Sequence, residues 1–195
     1  EYGVDSMPGG GAEIFDEEVR AKICKGKVSS ENWLKIHKMW HDKGRQSNAT
    51  MLFGHIESRE NRIDHMLRIR DLQDETGGFN AFIPLVYQRE NNYLKDVKFL
   101  GSAEILKTMA ISRLVLDNVP HIKAYWATST LNLAMIAQEF GADDLDGTIE
   151  KESIQSAAGA NSANGVTLKT FCDLIKTSGF TPVERDSLYN ELKIY

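Results

Sequence analysis

The chain has 195 residues, of which 42% are hydrophobic, 9% aromatic and 26% charged, a globular composition with enough apolar side chains for one domain core, which excludes a disordered segment. Lys, Asp or Glu interrupts every long apolar run, so no stretch of about 18 apolar residues is available to cross a bilayer. With 23 Lys and Arg against 28 Asp and Glu, the formal charge is -5, and the basic residues form no stripe that would track phosphates, which excludes nucleic acid as a partner.

Ser6, Met7 and Pro8 lead into a turn at Gly9, Gly10 and Gly11. A short helix over Asp16 to Cys24 follows, its first turn carrying Asp16, Glu17 and Glu18, which suit the helix dipole. A second helix starts near Ser30, places Trp33, Ile36, His37, Trp40 and His41 at helical spacing and stops at Gly44. Asn48 to Phe53 reads as a short buried strand, and Gly54 to Glu57 turns out of it. Ser58 caps a helix over Asn61 to Thr76 that carries Ile63, Met66, Leu67, Arg70 and Gln73 along one side and stops at Gly77 and Gly78.

The same unit repeats. Phe79 to Tyr87 is a strand, Ser102 caps a helix reaching Asn118, and Pro120 marks its end. His121 to Thr128 is the next strand, Leu131 to Phe140 is helical up to Gly141, and Asp144 to Thr148 is a short strand and turn. Gly159 to Gly165 is a loop too short for a domain linker, and Thr167 caps a helix through Phe171, Leu174 and Ile175. Alternating strands and helices of this length predict an α/β fold with about five parallel strands and right-handed crossovers. A closed eight-stranded barrel needs roughly 250 residues, so residues 1-195 form a single domain that is an open sheet or part of a barrel.

Cys24 and Cys172 are the two cysteines. They give neither a disulfide framework nor a local thiolate site, which suits a reducing cytoplasm. The opening residues, Glu1, Tyr2, Gly3, Val4, Asp5 and Ser6, have no initiator Met, no basic segment and no apolar segment, so they read as a chain entered midway and not as a signal peptide.

Several constellations carry chemistry. The turn at Pro8, Gly9, Gly10, Gly11, Ala12 and Glu13 either lets a ligand approach the main chain or is a tight strand-to-helix turn that binds nothing. His37 and His41 have the spacing of two metal ligands on one helix face, but no Glu stands between them and Trp33 and Trp40 flank them, so packing is expected. Asp143, Asp144 and Asp146 lack the ligand spacing of a calcium loop and are expected to form a polar strand end. No G-x-S-x-G elbow exists, and Cys24 has no evident His partner. Asn48, Thr50, His55 and Glu57 bracket one strand and its C-terminal turn, where parallel α/β folds gather ligand groups.

The strings PGGGAEIFD, SNATMLFGHIES, LQDETGGFNAFIPL, LDNVPHIKAYW, FGADDLDGTI and PVERDSLYN, in this order and spread over nearly the whole chain, resemble the C-terminal half of the aminofutalosine synthase family. Those are radical S-adenosylmethionine enzymes of the futalosine route to menaquinone. The turn at Gly54, His55 and Glu57 is shared with the sibling dehypoxanthine futalosine cyclase and with FO synthase subunits, whereas GADDLDGT and PVERD favour aminofutalosine synthase.

The resemblance implies a partial TIM-like (β/α) barrel, the C-terminal half of a radical S-adenosylmethionine barrel. In the family, three cysteines spaced C-x-x-x-C-x-x-C near the N-terminus hold a four-iron, four-sulfur cluster. S-adenosylmethionine then yields a 5′-deoxyadenosyl radical that adds to the substrate 3-[(1-carboxyvinyl)oxy]benzoate to make aminofutalosine. Cys24 and Cys172 cannot spell that motif, and thiolates are what hold such a cluster. The expectations are therefore a chain starting at about the fourth barrel strand, inactive alone, binding no cluster or S-adenosylmethionine by itself, and self-associating through the sheet it leaves open.

Carried over position by position, the resemblance assigns S-adenosylmethionine to Gly10, Gly11, Glu13, Asn48, Gly54 and His55. It assigns the aromatic dianionic substrate to Arg89 and Arg185 for a carboxylate and to Tyr87 and Trp126 for the ring, with Tyr125 as a further stacking candidate. No protein-bound metal and no membrane partner are expected. The rival readings are the sibling cyclase, an FO synthase subunit and a non-catalytic half-barrel binding module.

Overall fold

A computed structural model describes residues 3, 4, 6-94, 96-149, 153-160 and 165-195. Four strands form one parallel sheet in chain order, β1 (Ser6–Met7), β2 (Gln46–Phe53), β3 (Phe79–Val86) and β4 (His121–Ile122). A parallel bridge from Lys123 to Asp144 adds a fifth position beyond β4. The fold is α/β. Strands that neighbour one another in chain order are the arrangement of a (β/α) barrel wall, whereas a doubly wound sheet reverses its order partway.

The helices between the strands are α1 (Glu17–Ile23), α2 (Ser30–His41), α3 (Arg59–Thr76) and α4 (Ser102–Val115). After β4 come α5 (Trp126–Ser129), α6 (Leu131–Ala137) with a 3-10 turn over Gln138–Phe140, α7 (Ile154–Ala157) and α8 (Leu168–Thr177). An antiparallel hairpin of β5 (Val183–Arg185) and β6 (Glu191–Ile194) closes the described chain. The sequence reading did not anticipate this hairpin. Of the expected loop at Gly159 to Gly165, residues 161-164 lie outside the described residues.

Alternation along the strands separates two faces. In β2, Ser47, Ala49, Met51 and Phe53 are buried, while Asn48, Thr50 and Leu52 are half-buried. The register pairs Thr50 with Ile83 and Leu52 with Leu85, so the half-buried set forms one surface, the open face. The other face forms the core with Met66, Ile69 and Leu72 of α3, Met109 of α4 and Trp33 of α2.

Caps set the helix limits. Ser58 and Asn61 exchange backbone and side-chain bonds at the start of α3, and Gly77 ends it at φ 62°, a left-handed conformation that favours glycine. The buried face of α3 is His65, Met66, Ile69, Leu72 and Gln73. Leu67, placed on that face in the sequence reading, is exposed because it lies about 100° around the helix from Met66. At α4 the N-cap is Gly101 without a side-chain bond, and Ser102 is the first helical residue. That helix ends at Val115, short of Asn118.

The strand expected over His121 to Thr128 stops at Ile122, and the chain turns into α5 at Trp126. At the end of β3 the Val86 N–H is bonded by the Thr128 hydroxyl in place of a strand carbonyl. A side chain thus takes over a sheet bond and lets the main chain coil.

His37 and His41 are core side chains. His37 stacks on Trp33 with ring centroids 3.7 Å apart, and a polar chain runs beneath it. Thr76 donates its hydroxyl proton to Leu72 O at 2.8 Å, so it accepts from His41 Nδ1 at 2.8 Å. His41 Nε2 is then an acceptor, receiving the Ser47 hydroxyl at 2.7 Å, and Ser47 accepts from His37 Nδ1 at 2.8 Å. The chain of bonds holds both imidazoles as neutral rings protonated at Nδ1.

Candidate functional site

The C-terminal ends of β1, β2 and β3 meet at one rim of the open face. From β1 the chain enters the 8-13 turn. A Cβ on Gly9 would stand 2.7 Å from Asn48 O and 2.9 Å from the Ala49 backbone, so only glycine allows the turn to lie this close to β2. Thr50 Oγ1 donates to Gly9 O at 2.6 Å and Trp33 Nε1 to Gly10 O at 3.1 Å. Gly10 faces open space, and Gly11 sits at φ 86°.

Glu13 follows at φ 46°, a left-handed conformation that costs a non-glycine residue energy. Its carbonyl accepts from Leu52 N at 2.7 Å, and its carboxylate holds the Lys27 ammonium. On β2, Asn48 Oδ1 is buried and has no hydrogen-bond partner among the described residues. An orphaned acceptor of this kind is rare in a folded protein and calls for a donor.

Gly54, His55 and Glu57 form the turn after β2. Glu57 accepts from Gly54 N at 2.6 Å, His55 N at 2.8 Å and Arg62 Nε at 2.7 Å. This carboxylate is therefore the keystone of the turn. The His55 ring donates from Nε2 to Leu52 O at 2.9 Å, and its side chain is fully buried. Its Nδ1 lies 3.0 Å from Glu57 Oε2 without hydrogen-bond geometry. Burial pushes the imidazole pKa down, against the pull of Glu57, in keeping with a neutral ring protonated at Nε2.

Gly10, Gly11 and Glu13 thus follow β1, Gly54 and His55 follow β2, and Asn48 lies lower on the open face, near the start of β2 and beside Gly9. Tyr87 joins them from β3, its ring 5.8 Å from His55 and edge-on to it. Its hydroxyl is buried without a partner among the described residues, and burial pushes its pKa up. Beside it, a cavity of about 250 Å³ is bordered by Gly54, Tyr87, Gln88, Arg89, Leu100 and Thr128, among others. Arg89 lies on its wall, 5.6 Å over the Phe99 ring.

Trp126 and Arg185 are placed elsewhere. Trp126 is 1% exposed and donates its indole N–H to Gly147 O at 2.9 Å, which makes it a core side chain with no ring face left to stack on a ligand. Arg185 donates to Asp144 Oδ2 at 2.5 Å and covers the Tyr189 ring at 4.2 Å. Its cation already has a carboxylate.

Sequence reasoning missed two buried cations. Lys123, just past β4, lies 2.5 Å from Asp146 and 3.6 Å from Asp144, and is 6% exposed. Its signal was a lone lysine in an apolar strand string. Asp144 feels burial, but Lys123 and the hydrogen bond from Asp146 N hold its pKa below the usual range. Asp146 goes the other way, pushed up chiefly by burial. The second missed cation, Arg20 in α1, donates to the carbonyls of Gly11, Ala12, Ile14 and Val28. No feature of the sequence separates it from a surface arginine.

Residues 76-195 match the family described as the CofH/MqnC C-terminal region. The chain is 50% identical over its whole length to aminodeoxyfutalosine synthase of Thermus thermophilus, covering 54% of that protein. It is 41% identical over 99% of its length to cyclic dehypoxanthine futalosine synthase of Streptomyces coelicolor, covering 48%. It is 37% identical over 99% of its length to the 5-amino-6-(D-ribitylamino)uracil--L-tyrosine 4-hydroxyphenyl transferase of Methanopyrus kandleri, covering 54%. The chain spans about half the length of the curated relatives it matches.

Proposed function

The chain belongs to the CofH/MqnC C-terminal region family, and from that premise we propose that it forms the C-terminal half of a radical S-adenosylmethionine enzyme making aminofutalosine from 3-[(1-carboxyvinyl)oxy]benzoate. The observation that carries this reading is the 50% identity to an aminodeoxyfutalosine synthase against 41% and 37% to the sibling activities.

S-adenosylmethionine supplies the adenosyl carbon radical when bound, and the rim of the open face suits it. Glu13 is ion-paired with Lys27, whose ammonium is half-exposed, so an α-ammonium reaches this carboxylate by sharing it with that lysine or displacing it. Asn48 offers a buried acceptor in need of a donor. Gly10 lets a ligand reach the main chain without meeting a side chain. Gly54 and His55 contribute main-chain carbonyls, since their N–H groups are held by Glu57 and the His55 ring is occupied by Leu52 O. Two cysteines, one buried and one half-buried, cannot supply the three thiolates of a cluster, so those thiolates belong to sequence outside this chain.

For the substrate, Leu52, Ile83 and Leu85 give the open face a flat apolar wall beside Tyr87. Arg89 is the better placed of the two arginines for a carboxylate, because Arg185 is paired with Asp144. The role assigned to Trp126 passes to Tyr87, whose ring stands at the rim.

The test is turnover by the intact gene product, reconstituted without oxygen and given S-adenosylmethionine with each candidate substrate. Aminofutalosine, identified by mass, is the expected product from the enol ether. A product formed only from dehypoxanthine futalosine, or only from tyrosine with a ribitylaminouracil, assigns a sibling reaction. Calorimetry of the 195-residue chain with S-adenosylmethionine decides on a free-standing module, for which tight binding would speak; weak or no binding is expected from half a site.

A further inference from the structure

We propose that Arg20 is a positioning residue for the 8-13 turn, fixing its main chain in the shape that receives a ligand; this rests on the reading that the turn holds S-adenosylmethionine. Arg20 is 3% exposed and has no carboxylate within ion-pairing distance among the described residues. A guanidinium stays charged wherever it is placed, and its rigid fork of five N–H donors demands partners. Here the partners are four main-chain carbonyls. Nη1 donates to Ile14 O at 2.9 Å and to Ala12 O, and Nη2 donates to Gly11 O at 3.1 Å and to Val28 O.

Three of those carbonyls belong to the turn and its exit, and the fourth belongs to the segment that carries Lys27. One side chain therefore anchors both ends of the Glu13 and Lys27 pair. The N–H groups of Gly10, Gly11 and Glu13 make no hydrogen bond among the described residues. The turn's carbonyls are gathered on Arg20 while its amides are left over, the division expected of main chain shaped to meet an anionic group. The left-handed Glu13, unfavourable by itself, is held in place by the same anchoring.

The experiment uses the intact gene product carrying Arg20→Lys or Arg20→Ala, with three readouts: hydrogen exchange of the Leu52 amide, which donates to Glu13 O and so reports the position of the turn, equilibrium affinity for S-adenosylmethionine, and affinity for the aromatic substrate. Lysine keeps the charge but cannot bridge four carbonyls. R20K is expected to speed exchange of the Leu52 amide and to weaken S-adenosylmethionine by about tenfold or more, with substrate affinity kept. Methylguanidine added to R20A should restore part of the lost affinity.

Unchanged exchange in R20K overturns the inference. Faster exchange with unchanged S-adenosylmethionine affinity also overturns it, leaving Arg20 a structural residue. If the unmutated protein shows no affinity for S-adenosylmethionine, the underlying reading fails and the inference fails with it, a result told apart by the missing wild-type signal. Should R20A not fold without methylguanidine, R20K carries the test.

Discussion

Buried imidazoles make the stability of this chain depend on pH in one direction. Burial pushes His37 and His65 down to about 3, and His41 is lowered by the same cause. An unfolded imidazole takes up a proton near pH 6.5, and the folded ones resist until far lower, so the unfolded state binds more protons in that window. Stability is then expected to be flat above about pH 6.5 and to fall as pH drops toward 3, by about 1.4 kcal/mol per pH unit for each of His37 and His65, with His41 adding in the same direction. Urea unfolding near neutrality and again in mild acid measures the slope, and His37→Gln should make it shallower; equal slopes would refute the account. Glu57 gives a second case. Glu57→Gln removes the charge facing Arg62 and turns one of the two acceptor oxygens into an NH2, leaving one of the two backbone amides without its partner, for an expected loss of about 3 kcal/mol in denaturant unfolding. At this scale the sequence revealed residue types but not partners: His55 and Glu57 were marked as a site, yet nothing in the string shows that Glu57 is consumed by its own turn.

Among the elements, the glycine turn separates packing from ligand approach. Gly9→Ala drives a methyl into the β2 backbone and is expected to destabilise by about 2 kcal/mol or more, since main chain cannot step aside as a side chain can. Gly10→Ala meets nothing within 4 Å, so thermal melting should stay within about 0.5 kcal/mol of the parent, while S-adenosylmethionine affinity drops if ligand meets main chain there. Equal melting of the two variants would refute the distinction. Helices with strong punctuation were legible: Ser58 and Gly77 bound α3, and Thr167 caps α8, accepting from Thr170 N. Strand limits were less so, because they depend on a neighbour. β4 ends where Thr128 takes the Val86 N–H, an event between residues far apart in sequence. The hairpin was missed for a related reason, as its exposed strands carry little hydrophobic alternation.

For the molecule as a whole, what is unpaired matters as much as what is packed. β1 is a two-residue edge, the open face exposes parts of Leu52, Ile83 and Leu85, and the hairpin exposes Val183, Leu192 and Ile194. Such surfaces favour association. Light scattering at micromolar concentration should give a mass above the 21.9 kDa of one chain, whereas a stable monomer would refute the expectation. No helix of the described residues is long and apolar enough to cross a membrane, so the exposed apolar patches are not parts of a spanning helix.

The hairpin also bears on the order in which the buried charges meet during synthesis. Asp144 and Asp146 leave the ribosome well before Arg185, and until it arrives Lys123 alone faces two carboxylates. A nascent chain stalled ahead of residues 183-194 therefore carries an unbalanced negative charge in its middle, and Asp144 stays hydrated while it waits. The hairpin works as a seal on this charge cluster, and a protease that clips it would loosen the β4 side of the sheet, where Lys123 bridges to Asp144.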